Sequence, residues 1–97
     1  MRIIAKRALR EFWQRCPGAE SWLRAWYDQV RRADWDSPAS VQREYPRASI
    51  VGHDRVVFRF KGNEYRMIVR IFYPGRLIYI RFIGTHTEYD RVNVEEV

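Results

Sequence analysis

Between residues 56 and 83 the sequence alternates apolar and polar residues with a period of two, and two turn signals interrupt the alternation. The signals are Gly62-Asn63 and Pro74-Gly75, both typical of tight turns. Alternation of this kind predicts β-strands, here over residues 56–60, 65–73 and 77–83. Strands joined by such short connections must be antiparallel neighbours, so a three-stranded meander is the predicted frame of the fold.

The two turns also predict the register of this meander. Closing the first turn pairs Arg59 with Arg66, a like-charge pair that is destabilising by a few tenths of a kcal/mol. Closing the second turn gives the pairs Ile71–Ile78, Arg70–Tyr79, Val69–Ile80, Ile68–Arg81 and Met67–Phe82. One face is then wholly apolar, and we expect helices to cover it. The other face is predicted to gather Arg59, Lys61, Arg66, Arg70, Tyr79 and Arg81 around Val57 and Ile68.

The first half of the chain supplies the helices. A short strand is expected first, and apolar residues from Leu9 to Cys16 then recur at helical spacing until Pro17-Gly18 breaks the pattern. A second helix is predicted over residues 20–33, with its tryptophans in the core. Ser37-Pro38 is typical of the start of a short helix that extends to about residue 44. Residues 1–97 are therefore expected to form one α+β domain, with the amino-terminal helices on one face of the sheet.

The whole net charge of +6 lies in residues 55–84, which hold seven basic residues and one acid, Glu64. A polyanion is the natural partner of such a segment. Two plainer interpretations remain open. One is an ordinary solvated basic surface; the other is a genomic base composition that favours arginine codons, since 16 of the 18 basic residues are arginine.

Other features exclude classes of protein. No apolar run is long enough to span a membrane, and no secretory signal is recognisable, so no membrane partner is expected. The single cysteine, Cys16, excludes an internal disulfide framework, and a reducing cytoplasmic location is the default expectation. With one cysteine and two histidines, neither a protein-built zinc site nor a cofactor is expected.

The stretch that follows the last strand is the richest in chemical groups. Thr85 and Glu88 have the spacing of a capping box, which predicts a short helix and needs no functional explanation. His86 and Tyr89 would share one face of that helix, beside the arginine-rich strands. An acid–base pair next to arginines is what metal-free RNA cleavage requires. Asp90 is a candidate to orient His86, or else an ordinary surface charge; His53 is interpreted as a loop residue outside catalysis.

The segments around Tyr65-Arg66, Tyr79-Ile80-Arg81 and the block from Thr85 to Asp90 resemble the HigB-type toxins of bacterial toxin–antitoxin modules, within the RelE-like superfamily. The tryptophan-rich helix agrees in layout, and the likeness covers nearly the whole chain. The resemblance implies a RelE-like fold with a small, mostly antiparallel sheet. It also implies an endoribonuclease that cuts translated mRNA in the ribosomal A site and so inhibits translation.

The same resemblance implies roles for individual residues. Arg66 matches the family's phosphate-binding arginine and Tyr89 its active-site tyrosine, while His86 stands near a catalytic arginine of some members. These three are the predicted catalytic residues, without metal or cofactor. RNA or phosphate binding is expected from Arg59, Lys61, Arg70 and Arg81.

The resemblance further implies a helix-turn-helix HigA-type antitoxin, through which operator DNA would be bound only indirectly. Two other functions remain open from the sequence. One is a non-catalytic nucleic-acid-binding module that uses the same basic face. The other is a toxin of the same superfamily that inhibits gyrase.

Overall fold

The computed structural model describes residues 1–97 and contains one strand, three helices, four further strands and a last short helix, in that order. The strands are β1 (Arg2–Ile4), β2 (Ser49–Val51), β3 (Arg55–Phe60), β4 (Tyr65–Phe72) and β5 (Leu77–Thr85). The helices are α1 (Lys6–Arg15), α2 (Glu20–Val30), α3 (Pro38–Glu44) and α4 (His86–Tyr89), with a 3₁₀ turn at Pro17–Ala19. None of the helices has the length and the apolar sequence that a membrane span requires.

The five strands form one sheet in the order β1-β5-β4-β3-β2. All neighbours are antiparallel except β1, which pairs in parallel with β5. The predicted α+β class with a mostly antiparallel sheet is therefore confirmed. The sequence predicts a strand at the amino terminus but not its place at the edge of the sheet.

The helices begin and end close to the predicted positions, for local reasons. The side chain of Ser37 accepts a hydrogen bond from the backbone N–H of Ser40, so α3 begins where the sequence predicted. Helix α2 ends at Val30, three residues earlier than expected, because the N–H groups of Arg32 and Ala33 bond three residues back instead of four. Bonds of that kind tighten the last turn of a helix into 3₁₀ geometry.

Aromatic contacts join the helices to one face of the sheet. Phe12 of α1 packs edge-on against Tyr65, with ring centroids 5.5 Å apart, and Trp26 of α2 packs on Phe58 at 5.6 Å. Trp26 is buried, as predicted for the tryptophans of α2, and Trp35, which follows that helix, is buried as well. Trp22 differs, since it is only half-buried at the edge of this core.

The register of the first hairpin is confirmed along its whole length, from Phe60↔Tyr65 to Val56↔Val69, and it includes Arg59 opposite Arg66. The second hairpin follows the predicted register as far as Val69↔Ile80. Beyond that point the prediction is wrong: Ile68 pairs with Phe82, and Met67 with Ile83. The register shift leaves Arg81 without a partner, as the extra residue of a β-bulge does.

The bulge exchanges the two faces at the end of β5. Ile83 joins the core, whereas Phe82, which we predicted in the core, lies on the side of Ile68 and Arg66. There its ring centroid is 6.5 Å from that of Tyr89. An extra residue reverses the period-two alternation after it, and the sequence pattern does not show where the extra residue falls.

The second face of the sheet is less open than the alternation predicted. Val57 and Ile68, at its centre, are completely buried although they lie outside the helix-covered core. The chain leaves α4 at Tyr89, which lies beside Arg66, and ends at Val97. The Val97 carbonyl oxygen accepts hydrogen bonds from the Arg55 guanidinium at 2.9 and 3.2 Å. Residues 90–97 therefore cross this face between the two arginines, over Val57 and Ile68.

Candidate active site

Arg66 and Tyr89 form the centre of the candidate site. The Arg66 guanidinium carbon lies 4.8 Å from the centroid of the Tyr89 ring, within the range of a cation–π contact. No carboxylate lies within ion-pair distance of Arg66, and its buried Nε has no hydrogen-bond partner. No other group of the protein pairs with the guanidinium, so Arg66 keeps hydrogen-bond donors that can bind an anion.

Helix α4 holds Tyr89 and His86 in place through a closed capping box. The Thr85 hydroxyl accepts from the Glu88 backbone N–H at 3.2 Å, and the Glu88 carboxylate accepts from the Thr85 N–H at 2.8 Å. The backbone N–H of His86 donates to the Glu64 carbonyl at 2.8 Å, which ties the start of α4 to the first hairpin. The predicted capping box is confirmed.

A residue that the sequence analysis missed, Arg15, also fixes α4. Its guanidinium donates to Glu88 Oε1 at 3.0 Å, so the end of α1 is bonded to the cap of α4. This hydrogen bond, together with that from the Thr85 backbone, holds the pKa of Glu88 below its usual range, and Glu88 remains an anion near neutral pH. The two residues lie 73 positions apart, and no local pattern connects them.

His86 faces solvent at the amino-terminal end of α4. Its Nδ1 lies 3.5 Å from Oδ2 of Asp90, one helical turn later, and both side chains are more than half exposed. Their contact becomes an ion pair when the imidazole is protonated. Asp90 therefore lies next to His86, the position that a residue orienting the imidazole would need.

One of the predicted phosphate-binding residues, Arg59, is the direct neighbour of Arg66, and another, Arg81, lies on the adjacent strand β5. Arg59 is directly opposite Arg66, donates to Ser49 Oγ at 2.7 Å, and has no carboxylate within ion-pair distance. Arg81 lies exposed in the bulge, next to Phe82, and makes no ion pair.

The other two lie apart from the Arg66–Tyr89 pair. Arg70 is four residues along β4, about 13 Å at the usual strand rise, and is bonded to Asp54 at 3.0 Å. Lys61 has a positive φ of 55° in the hairpin turn, and its ammonium nitrogen approaches Gly18 on the helix side of the sheet. A methyl group added at Gly18 would lie 3.2 Å from that nitrogen. The expected common face for Lys61 and Arg66 is thus wrong, because the turn redirects the lysine.

No three side chains of His, Cys, Asp or Glu come together in a way that could hold a metal ion.

The fold and site define a small α+β protein with unpaired arginines on its sheet, beside a carboxy-terminal helix that carries tyrosine and histidine. Residues 19–92 match the HigB toxin family, described as the RelE-like toxic component of a toxin–antitoxin system. The chain belongs to this family, and the resemblance drawn from its sequence is confirmed.

Curated relatives are similar along most of the chain. The mRNA interferase toxin HigB of Escherichia coli K12 is 27% identical over 92 residues, which cover 93% of this chain and 88% of that protein. The mRNA interferases HigB of E. coli O157:H7 and of Shigella flexneri show the same identity and coverage.

Proposed function

We propose that this toxin is an mRNA endoribonuclease that inhibits translation, with its active site at Arg66, His86 and Tyr89. The observation that carries the proposal is the Arg66 guanidinium, which has no carboxylate partner, keeps a buried donor unused and packs on Tyr89. A guanidinium of this kind suits the non-bridging oxygens of a phosphate. The names of the relatives, mRNA interferases, support the same activity.

The proposed reaction uses the RNA's own 2′-hydroxyl as nucleophile. The 2′-oxygen forms a bond to phosphorus as it loses its proton, and the bond to the 5′-oxygen breaks as that oxygen gains one. The products are a 2′,3′-cyclic phosphate and a 5′-hydroxyl end. Arg66 stabilises the charge that develops on the phosphorane, with Arg59 directly opposite it and Arg81 on the adjacent strand.

His86 and Tyr89 are the groups proposed to move the two protons. An imidazole can accept or donate a proton, and the carboxylate of Asp90 lies 3.5 Å from Nδ1 of His86. A phenol can donate a proton or stack on a base. No metal or cofactor takes part in this scheme, and neither Arg70 nor Lys61 is needed at the scissile phosphate.

The ribosome is the proposed source of substrate alignment. The proton-transfer groups are few and His86 is exposed, so the in-line geometry of the 2′-oxygen, phosphorus and 5′-oxygen has to be imposed on the message from outside. A message held in the A site of a translating ribosome meets this need and places the protein in the cytoplasm. A helix-turn-helix antitoxin of the HigA type is the proposed neutralising partner, and operator DNA would be bound through it.

The test is to map RNA ends on preassembled translating ribosomes, with the same message free in solution as comparison. We expect efficient cleavage on ribosomes, little in free RNA, 2′,3′-cyclic phosphate ends, and no loss of cleavage in chelator where ribosome integrity is verified. Arg66→Ala should reduce the rate a few hundredfold in a folded protein, the usual effect of removing one transition-state hydrogen-bond donor. Magnesium-dependent cleavage of free RNA to 5′-phosphate ends would contradict the proposal.

The same experiment separates the other two functions. If His86→Ala and Tyr89→Phe variants remain toxic while Arg66→Ala does not, binding without cleavage is the mechanism. If wild-type protein leaves RNA intact on ribosomes but stops supercoiling by gyrase, the protein is a gyrase inhibitor.

A further inference from the structure

A groove outside the Arg66–Tyr89 centre combines aromatic and basic side chains. It has a volume of about 640 Å³ and lies between helices α2 and α3 and the turn that joins β3 to β4. We call it the aromatic groove; its principal lining residues are Trp22, Tyr45, Arg47, Arg59, Lys61 and Asn63. The proposed mechanism uses only Arg59 among these.

Trp22 gives the groove a rigid flat surface. Its ring stacks on that of Phe60, with centroids 4.2 Å apart and planes within 8° of parallel, and Tyr45 packs edge-on at 6.3 Å. Trp22 is half-buried, whereas Trp26 and Trp35 are 1% exposed, so Trp22 keeps surface available to a ligand. Aromatic side chains fixed in this way are the usual stacking surface for the bases of single-stranded RNA.

The charges in the groove favour an anion. Arg47, Arg59 and Lys61 have no carboxylate within ion-pair distance. Glu44 is the single acid in the lining, and it accepts a hydrogen bond from Gln29 at 3.1 Å. A ligand with phosphates and a planar ring would satisfy both the cations and the aromatic surface, whereas an apolar protein segment would leave the cations unmatched.

Arg59 connects the groove to the proposed active site. It lines the groove and also lies directly opposite Arg66, at the spacing of roughly 5 Å that cross-strand neighbours have. We propose that the aromatic groove binds a nucleotide of the RNA that flanks the scissile phosphate, with its base on Trp22 and its phosphate between Arg47 and Arg59. This inference rests on the proposed ribonuclease function and adds a substrate-binding subsite to it.

The test measures the indole N–H signals of the wild-type protein by ¹H–¹⁵N NMR during titration with a short single-stranded RNA. All riboses of the probe carry 2′-O-methyl groups, so no 2′-hydroxyl is available for cleavage. We expect the Trp22 signal to shift and those of buried Trp26 and Trp35 to stay. Inorganic polyphosphate, which has charge but no bases, should move the arginine side-chain signals and leave Trp22 unchanged.

Two matched variants test the phosphate contact. Arg47→Gln removes a cation from the groove, and Arg43→Gln removes an arginine that is also exposed and unpaired but lies outside it on α3. Arg47→Gln should weaken RNA binding about threefold to tenfold and lower the salt slope by about 0.7, the value for one phosphate contact on a single strand. Arg43→Gln should bind RNA like the wild type.

The outcomes separate this inference from the proposed function. If RNA shifts the Arg59 and Arg66 signals but not Trp22, and Arg47→Gln binds normally, the subsite is wrong while the ribonuclease proposal stands. An equal Trp22 shift with polyphosphate would also overturn the subsite, because base stacking would then play no part. If RNA moves no signal and the wild type cuts no message on ribosomes, both proposals fail.

Discussion

Arg66→Met should make the protein more stable while it removes the proposed phosphate contact. The buried Nε of Arg66 has no hydrogen-bond partner, and leaving such a donor unpaired costs about 1–3 kcal/mol. Methionine has a similar length and no donor. The change loses the cation–π contact with Tyr89, about 0.5–1 kcal/mol, and removes a repulsion of a few tenths of a kcal/mol from Arg59.

The balance is an increase of about 1 kcal/mol in the free energy of unfolding, or about 4–8 °C in Tm for a chain of this size. Urea denaturation at neutral pH measures it, with the slope against denaturant as a check that the unfolded state is unchanged. Arg59→Met is the matched control on the opposite strand. It removes the same repulsion but loses the hydrogen bond to Ser49 Oγ, which contributes about 1 kcal/mol, so its stability should fall by about 0.5–1 kcal/mol.

The effect of inorganic phosphate on stability gives a second comparison of the wild type with Arg66→Met. If Arg66 takes up an anion, phosphate at tenfold its Kd should stabilise the wild type by about 1.4 kcal/mol and Arg66→Met much less. An Arg66→Met protein that is less stable than wild type, or that gains as much from phosphate, would refute the view of Arg66 as an unsatisfied anion-binding group.

Three further perturbations test the other contacts. Ile68→Ala should lower the free energy of unfolding by about 2–5 kcal/mol, because Ile68 is buried beneath residues 90–97; a loss below 1 kcal/mol, measured in urea, would mean that this face is open. Glu88→Gln should cost about 0.5 kcal/mol at pH 7 through the exposed pair with Arg15. Because folding lowers the pKa of Glu88, this difference should persist above its ordinary pKa of 4.5 and vanish as the pH falls through the lower folded value; a difference that grows in acid would contradict the assignment. Gly84→Ala places a methyl group 2.5 Å from the Phe82 ring and should destabilise by about 1–3 kcal/mol; thermal unfolding at the wild-type temperature would show that the ring yields freely.

The sequence predicted those parts of the fold that follow from local periodicity and turn chemistry. Alternation and the Gly62-Asn63 turn were sufficient for the first hairpin, and hence for Arg59 opposite Arg66. Capping residues were sufficient for the start of α3 and α4. In each case the determining interactions lie within a few residues of one another.

The remaining features depend on contacts that no local pattern records. The bulge at Arg81 reverses the faces of β5, and Val57 is buried under residues 90–97, which are far from it in the sequence. Arg70 is bonded to Asp54 of a neighbouring loop, and a positive φ turns Lys61 toward Gly18. Counting charges along strands therefore overestimated the number of basic residues in the cluster. That Arg66 has no carboxylate partner could be seen only from the positions of all its neighbours.

The parallel pairing of β1 with β5 has a consequence for the order in which the molecule is completed. Arg2–Ile4, synthesised first, pairs with Leu77–Tyr79, so the amino-terminal strand has no partner until most of the chain exists. The contact of Arg66 with Tyr89 likewise waits for residues that leave the ribosome after the sheet. Contacts of such sequence separation form late in folding. The newborn chain therefore lacks the proposed cleavage centre while its own message is being translated through these codons.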